Sequence, residues 1–256
     1  MENIPLPSNI TFEKGKDENE SVVSIWPCFP GYGTTLGNAL RRVLLSSLPG
    51  AAITSFKVKN AEHEFSAIPN IKEDLVEISL NLKRLRFKMY SEEPQKATLS
   101  VKGAKEVKAS DIKAPSQIDV ISKDLPIATI TSKDGELDIE FIIENGRGYV
   151  PTENREKEEI EVGHNLIDSI FTPVTSVGFK LENVRVGHMT NYEKLILNIE
   201  TDGTITPQDA LNASTQVLME QFSFIEKETK GKTVKEKKVT KKATVKKEDK
   251  DKKEDK

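Results

Sequence analysis

PGYGTTLGNALRRVLLSSLPG, residues 30–50, runs three glycines into a segment that reads as a helix. Two functions compete for such a stretch. A dinucleotide cradle requires Gly-x-Gly-x-x-Gly, because the third glycine lets helix and strand pack closely below the pyrophosphate. Here the glycines fall at 31, 33 and 37, and Leu36 stands where the third is needed. Pro27 and Pro30 also interrupt the tight strand-to-helix turn that would aim backbone N–H groups at a phosphate. The nucleotide reading is weak.

The helix itself says more. Thr34 or Thr35 can cap it, and Pro49-Gly50 ends it. At about 100° per residue, Leu36, Leu40, Val43, Leu44 and Leu48 form one apolar stripe. Leu45 falls on the far side with Asn38, Arg41 and Arg42. Leucine and arginine on a helix whose other face is already apolar fit an interface. They fit a plain solvated surface equally well.

Outward from this helix, period-two runs predict half-buried antiparallel strands at 22–26, 52–59, 97–103, 126–131, 136–146, 177–186 and 194–200. A second helix is expected after Asn70, where Asn70 and Glu73 have capping-box spacing and Ile71, Leu75, Ile78 and Leu82 share a face. A third starts at Thr206-Pro207, with Asp209 three residues after the cap. It runs to about Ile225 with Leu211, Leu218, Phe222 and Ile225 on one side. A short helix is expected at 164–171, stopped by Pro173.

With 256 residues and 36% apolar content the chain can bury a full core. No apolar run approaches the length of a membrane span, and the first twenty residues lack a basic region followed by an apolar one. A chain away from membranes, without a secretory signal, is expected. Cys28 is the only cysteine, which excludes an internal disulfide and cysteine-based metal sites and fits a reducing cytoplasm. From Lys227 on, 14 Lys stand against 7 acidic residues, a net +7, while residues 1–226 carry a net -10. That tail contains no Leu, Ile or aromatic residue and is expected to be disordered. Its GKT at 231–233 lacks the glycine a phosphate-binding loop needs five positions earlier.

Catalytic constellations are thin. His63, His164 and His188 are scattered, with no metal-ligand spacing. His164 and Asp168 lie four apart on the expected short helix, where a surface contact is commoner than a dyad. No Asp-x-Asp-x-Asp run of the kind that gathers magnesium occurs in the body.

Five blocks in order give a stronger signal: GYGTTLGNALRRVLLSSLPGAAIT, HEFSAI (63–68), IKEDLVEISLNLKRL (71–85), GRGYVP (146–151) and TDGTITPQDAL (201–211). Over about residues 5–226 the chain closely resembles the bacterial and plastid DNA-directed RNA polymerase alpha-subunit family. The resemblance implies an α+β fold of two subdomains. A helix-on-sheet dimerisation subdomain comes from residues 1–51 and 174–226, and a strand-rich subdomain, 52–173, is inserted between them. It implies a homodimer held by the first and last long helices, through Leu36, Leu40, Leu44, Leu211, Leu218 and Phe222. On this platform the beta and beta-prime subunits assemble.

By motif position, Arg42 and Leu45 correspond to residues contacting beta, Glu77 and Lys83 sit in a second such segment, and 168–177 lies toward beta-prime. The chain would supply no catalytic residue and no cofactor; magnesium belongs to the catalytic subunits. A cytoplasmic, nucleoid-associated location follows from the same resemblance. The family's usual carboxyl-terminal DNA-binding domain is not seen here, and the Lys-rich tail at 227–256 leaves only weak or indirect attraction to DNA phosphates.

Overall fold

Alternation of apolar and polar residues builds two antiparallel sheets. The computed structural model describes residues 4–59, 61, 65–155 and 163–251, with 231–251 through their backbone alone. Strand Glu20–Cys28 buries Val23, and its neighbour Met189–Thr201 buries Leu195, Leu197 and Ile199. Together with Asn9–Lys14 and Val174–Val186 they form a four-stranded sheet in the order 9–14, 20–28, 189–201, 174–186. Segments far apart in sequence thus share one sheet.

The polypeptide between them makes a second, seven-stranded sheet. Its centre is Glu136–Arg147, paired on one side with Gln95–Lys102 and on the other with Pro49–Val58. Phe56, Phe87, Phe141, Leu99 and Ile143 fill its core. Both sheets lie in one compact unit that extends to Ser214, and Thr215 onward forms another.

All seven expected strands are present, with ends shifted by a few residues. The strands missing from the sequence reading are short, such as Phe87–Met89, or exposed along their whole length, as Asn9–Lys14 is. A run of two or three residues is too short to show a period, and the alternation of Ile10 and Phe12 in Asn9–Lys14 spans a single repeat.

Among the described residues three α-helices complete the fold: α1 (Tyr32–Ser46), α2 (Leu75–Lys83) and α3 (Pro207–Asp251). Each corrects an expectation. α1 starts ahead of Thr34 and Thr35, after Gly31 at φ 84, with no side chain of its own capping it. α2 is capped by Asp74, whose carboxylate accepts the Glu77 N–H at 2.7 Å, and not by Asn70, which adopts φ 63. The expected box partner Glu73 instead accepts the N–H of Thr129 at 2.6 Å and its hydroxyl at 3.0 Å, tying the approach to α2 onto strand Pro126–Ile130.

α3 begins as expected, with the Thr206 hydroxyl oxygen accepting the Asp209 N–H at 3.1 Å. It then continues to Asp251, whereas the sequence reading ends it near Ile225 and expects disorder from Lys227. Lysine and glutamate are good helix formers, and a helix closes its backbone hydrogen bonds without needing a core. A Glu226–Lys230 pair one turn apart supports the same stretch.

The short helix expected at 164–171 is absent. Asn165–Leu166 pairs with Phe56 and Ser55 of the large sheet, and Ser169–Ile170 pairs with Tyr149–Val150. The Ile167 N–H between them donates to Thr54 O at 3.1 Å. Backbone groups that a helix would have used internally are spent on neighbouring strands.

Candidate functional site

The glycines of α1 acquire their meaning from the four-stranded sheet. Gly33, Gly37, Leu40 and Leu44 are the buried residues of the helix. A Cβ on Gly37 would come within 2.8 Å of Phe179 Cδ2, and one on Gly33 within 2.7 Å of Leu181 Cδ2. These glycines let the helix lie close on strands Val174–Val186 and Met189–Thr201. The N–H groups that a phosphate would have taken are occupied as well. Glu193 Oε1 accepts the Gly31 N–H at 3.0 Å, and its Oε2 accepts the Gly33 N–H at 2.8 Å. An internal carboxylate thus sits at the positive end of the helix, where an anion is favoured.

The buried stripe is therefore centred on the glycines, with Leu36 and Val43 half-buried at its margin. Of the six residues expected at a dimer contact, Leu40, Leu44 and Leu211 are buried within the single chain, and Leu44 is 0% exposed. Leu36 and Leu218 are half-buried, while Phe222 is 63% exposed, with Met219, Phe224 and Ile225 exposed around it. Ile10 and Phe12 of the edge strand are also exposed. Their registers, Ile10 to Ile25 to Leu195 and Phe12 to Val23 to Leu197 to Phe179, put them on the face that α1 covers farther along the sheet. An apolar margin is left beside the helix.

Away from the sheet, α1 presents Arg42 to solvent, and Leu45 is half-buried. Arg41 is tied down, its Nε donating to Val177 O at 3.1 Å. Ser46, one turn beyond Arg42, lies beside Gly148, where an added Cβ would be 3.6 Å from Ser46 O. Next along the chain, Tyr149 donates its hydroxyl to Asp168 Oδ2 at 2.9 Å. The same carboxylate receives Lys83 Nζ at 3.0 Å and, on Oδ1, the Thr152 N–H at 2.9 Å. Lys83 also stands 5.2 Å over the Tyr149 ring. Contacts therefore run from α1 to the end of α2, whose outer side exposes Val76, Glu77 and Leu80.

This arrangement brings Lys83 and Asp168 together and separates Asp168 from the His164 pairing considered on sequence. His164 Nδ1 lies 3.4 Å from the Ser55 hydroxyl instead. Glu193, Tyr149 and Thr152 are missed by sequence reasoning, since their partners are 160, 19 and 16 residues away. His63 lies outside the described residues. Among the described residues no group of three or more His, Cys, Asp and Glu side chains could hold a metal ion. No described helix is long and apolar enough to cross a membrane.

The Thr152 N–H, Lys83 and Tyr149 hydrogen bonds together hold the Asp168 carboxyl at a pKa of about 2. Burial alone would lower the Lys83 pKa, but the hydrogen bond and charge of Asp168 raise it overall. A carboxyl depressed in the folded chain stabilises the fold above its unfolded value, near 4, and loses that contribution as pH falls toward about 2. The expected result is that Asp168→Asn is less stable than the parent at neutral pH. Its deficit should shrink between pH 4 and pH 2 in denaturant melts. A constant deficit across that window would show that the carboxylate charge contributes nothing.

Residues 54–172 match the family described as the RNA polymerase Rpb3/RpoA insert domain. The chain is 49% identical over 208 residues to the DNA-directed RNA polymerase subunit alpha of Roseiflexus sp. (strain RS-1), covering 81% of this chain and 64% of that one. The alpha subunit of Herpetosiphon aurantiacus is 48% identical over 208 residues, 81% of this chain and 62% of its own. That of Oceanobacillus iheyensis is 43% identical over 224 residues, 88% of this chain and 68% of its own. The chain thus spans somewhat under two thirds of the length of the first two relatives.

Proposed function

The chain belongs to the DNA-directed RNA polymerase alpha-subunit family, and on that premise we propose that it is a non-catalytic subunit that homodimerises and carries the beta and beta-prime subunits. The observation that carries the dimer is the exposed apolar cluster of α3. Leu218, Phe222 and Ile225 fall within about 60° of one another around the helix. Met219 and Phe224 add exposed area on either side. A helix this apolar and this open needs a partner. The half-buried flank of α1 and the exposed Ile10 and Phe12 are further apolar area for a second copy to cover.

Beta contact is assigned to the outer side of the body, through Arg42, Leu45, Glu77 and Lys83. Leu80, Val76 and Tyr149 supply apolar contact among these charges, a composition suited to an interface. The segment 168–177 lies toward beta-prime, and Asp168 joins it to Lys83. Magnesium chemistry belongs to the partner subunits, and no step of it is assigned to residues of this chain.

Light scattering of the full chain, alone and mixed with beta subunit, tests the reading. A dimer that captures one beta supports it; a monomer that ignores beta overturns it. Within that experiment, Arg42→Ala with Leu45→Ala should leave the dimer mass unchanged and weaken beta capture at least about tenfold, since central arginine and apolar anchors carry most interface affinity. Native capture by the double variant would move the contact to another face.

A further inference from the structure

Arg86 lies just beyond α2, with its side chain only 19% exposed, against Asp202, whose side chain is 6% exposed. Its Nε is 3.3 Å from Asp202 Oδ2, and its Nη1 donates to Lys83 O at 3.1 Å and to Leu85 O at 3.0 Å. The other carboxylate oxygen of Asp202 accepts the N–H and hydroxyl of Thr204 at 3.0 and 2.6 Å. The Asp202 N–H donates to Pro173 O at 3.0 Å. The guanidinium thus grips the last carbonyl of α2 and that of Leu85 just beyond it, and the carboxylate shapes the turn leading to Thr206, the cap of α3. Among the described residues this is the ion pair that joins the inserted strands to the returning chain.

A buried pair of this kind is weak support for stability, because desolvation of both charges offsets their attraction. What it supplies is direction. A planar fork with three fixed acceptors admits one orientation, which a flexible ammonium or an apolar contact does not impose. We infer that Arg86 and Asp202 are positioning residues that fix the end of α2 relative to the beginning of α3. The α2 face offered to a large subunit is thereby held in one geometry against the turn that starts α3. The use of that geometry in assembly rests on the function proposed above; the positional role does not.

The test is the double variant Arg86→Met/Asp202→Leu in the full chain, which removes both charges and leaves none uncompensated. Asp202→Asn serves as a second variant that retains the hydrogen-bonding shape at Thr204. Hydrogen exchange should rise at least tenfold, together, at residues 79–83 and 209–212, while 137–143 in the large sheet keep parental protection. The dimer mass should stay unchanged and beta capture should fall at least tenfold. Parental exchange at both ends, or a rise confined to one of them, would overturn the inference. Exchange that rises at both ends as expected but with native beta capture would overturn its use in assembly. A parent chain that fails to bind beta would remove the function proposed above, and the exchange result would still decide the positional role.

Discussion

Phe222→Asp is expected to convert the proposed dimer into a monomer while the body melts where the parent melts. Phe222 is 63% exposed within its own chain, so the substitution removes little that a single copy uses. In the dimer it removes an aromatic burial of about 2 kcal/mol and places a carboxylate where water is excluded, at least another 1 kcal/mol. A two-fold interface repeats the loss, giving about 6 kcal/mol and a rise in Kd of roughly 10,000-fold. Sedimentation at micromolar concentration reads this directly. Leu40→Asp supplies the contrast. Leu40 is 7% exposed against the four-stranded sheet, so its variant unfolds that sheet before dimerisation can be measured. A dimeric Phe222→Asp protein would mean that the second copy covers another face, with Ile10 and Phe12 the next to be tested.

The difference between those two substitutions was not legible in the sequence, where Leu40 and Phe222 both occupy apolar stripes. Periodicity reveals that a face is apolar; it does not reveal whether the same chain or another one covers it. The strands with alternating Val, Ile and Leu were legible because burial on one side leaves a period-two trace, as in Glu136–Arg147. Residues 164–171 were misread because leucine and isoleucine spaced along a short run fit a helix as well as two strand fragments. The bonds of Ile167 to Thr54 and of Ser169 to Ile53 that decide the matter come from 113 and 116 residues away. The candidate site divides the same way. Arg42 and Leu45 are marked by their place on α1, whereas the Lys83–Asp168–Tyr149 cluster and the Arg86–Asp202 pair exist only once the chain is folded. Residues 30–50 show both limits: Leu36 in the third glycine's place already weakened the nucleotide reading, but only Glu193 and Phe179 show what Gly31, Gly33 and Gly37 are for.

The last glycine of that stretch gives the largest expected effect on stability. Gly50 lies in strand Pro49–Val58, opposite Gly146, and Phe171 meets both, Gly50 with its carbonyl and Gly146 with its ring. A Cβ on Gly50 would sit 1.9 Å from the carbonyl oxygen of Phe171, whereas one on Gly146 would meet only its ring, at 2.7 Å. A ring can turn; a carbonyl moves only with its backbone. Alanine is intrinsically better than glycine in a strand by about 0.5–1 kcal/mol, but a forced backbone shift in a packed region costs about 3 kcal/mol or more, and the clash wins. For a body of this size that corresponds to a fall in Tm of roughly 6–12 °C. Gly178→Ala is the control, since nothing lies within 4 Å of its added Cβ, and it should melt within about 1 °C of the parent or slightly above it. The effect is local in origin and global in consequence. At Pro49 the chain leaves α1 for the large sheet, and beyond Phe171 and Pro173 it returns to the four-stranded one at Val174. Outgoing and returning strands are pressed together where Gly50 meets Phe171, so an added methyl group separates the two crossings that set one sheet against the other. If Gly50→Ala melts like Gly178→Ala, that seam is loose, and the orientation of the two sheets rests on Arg86 and Asp202 instead.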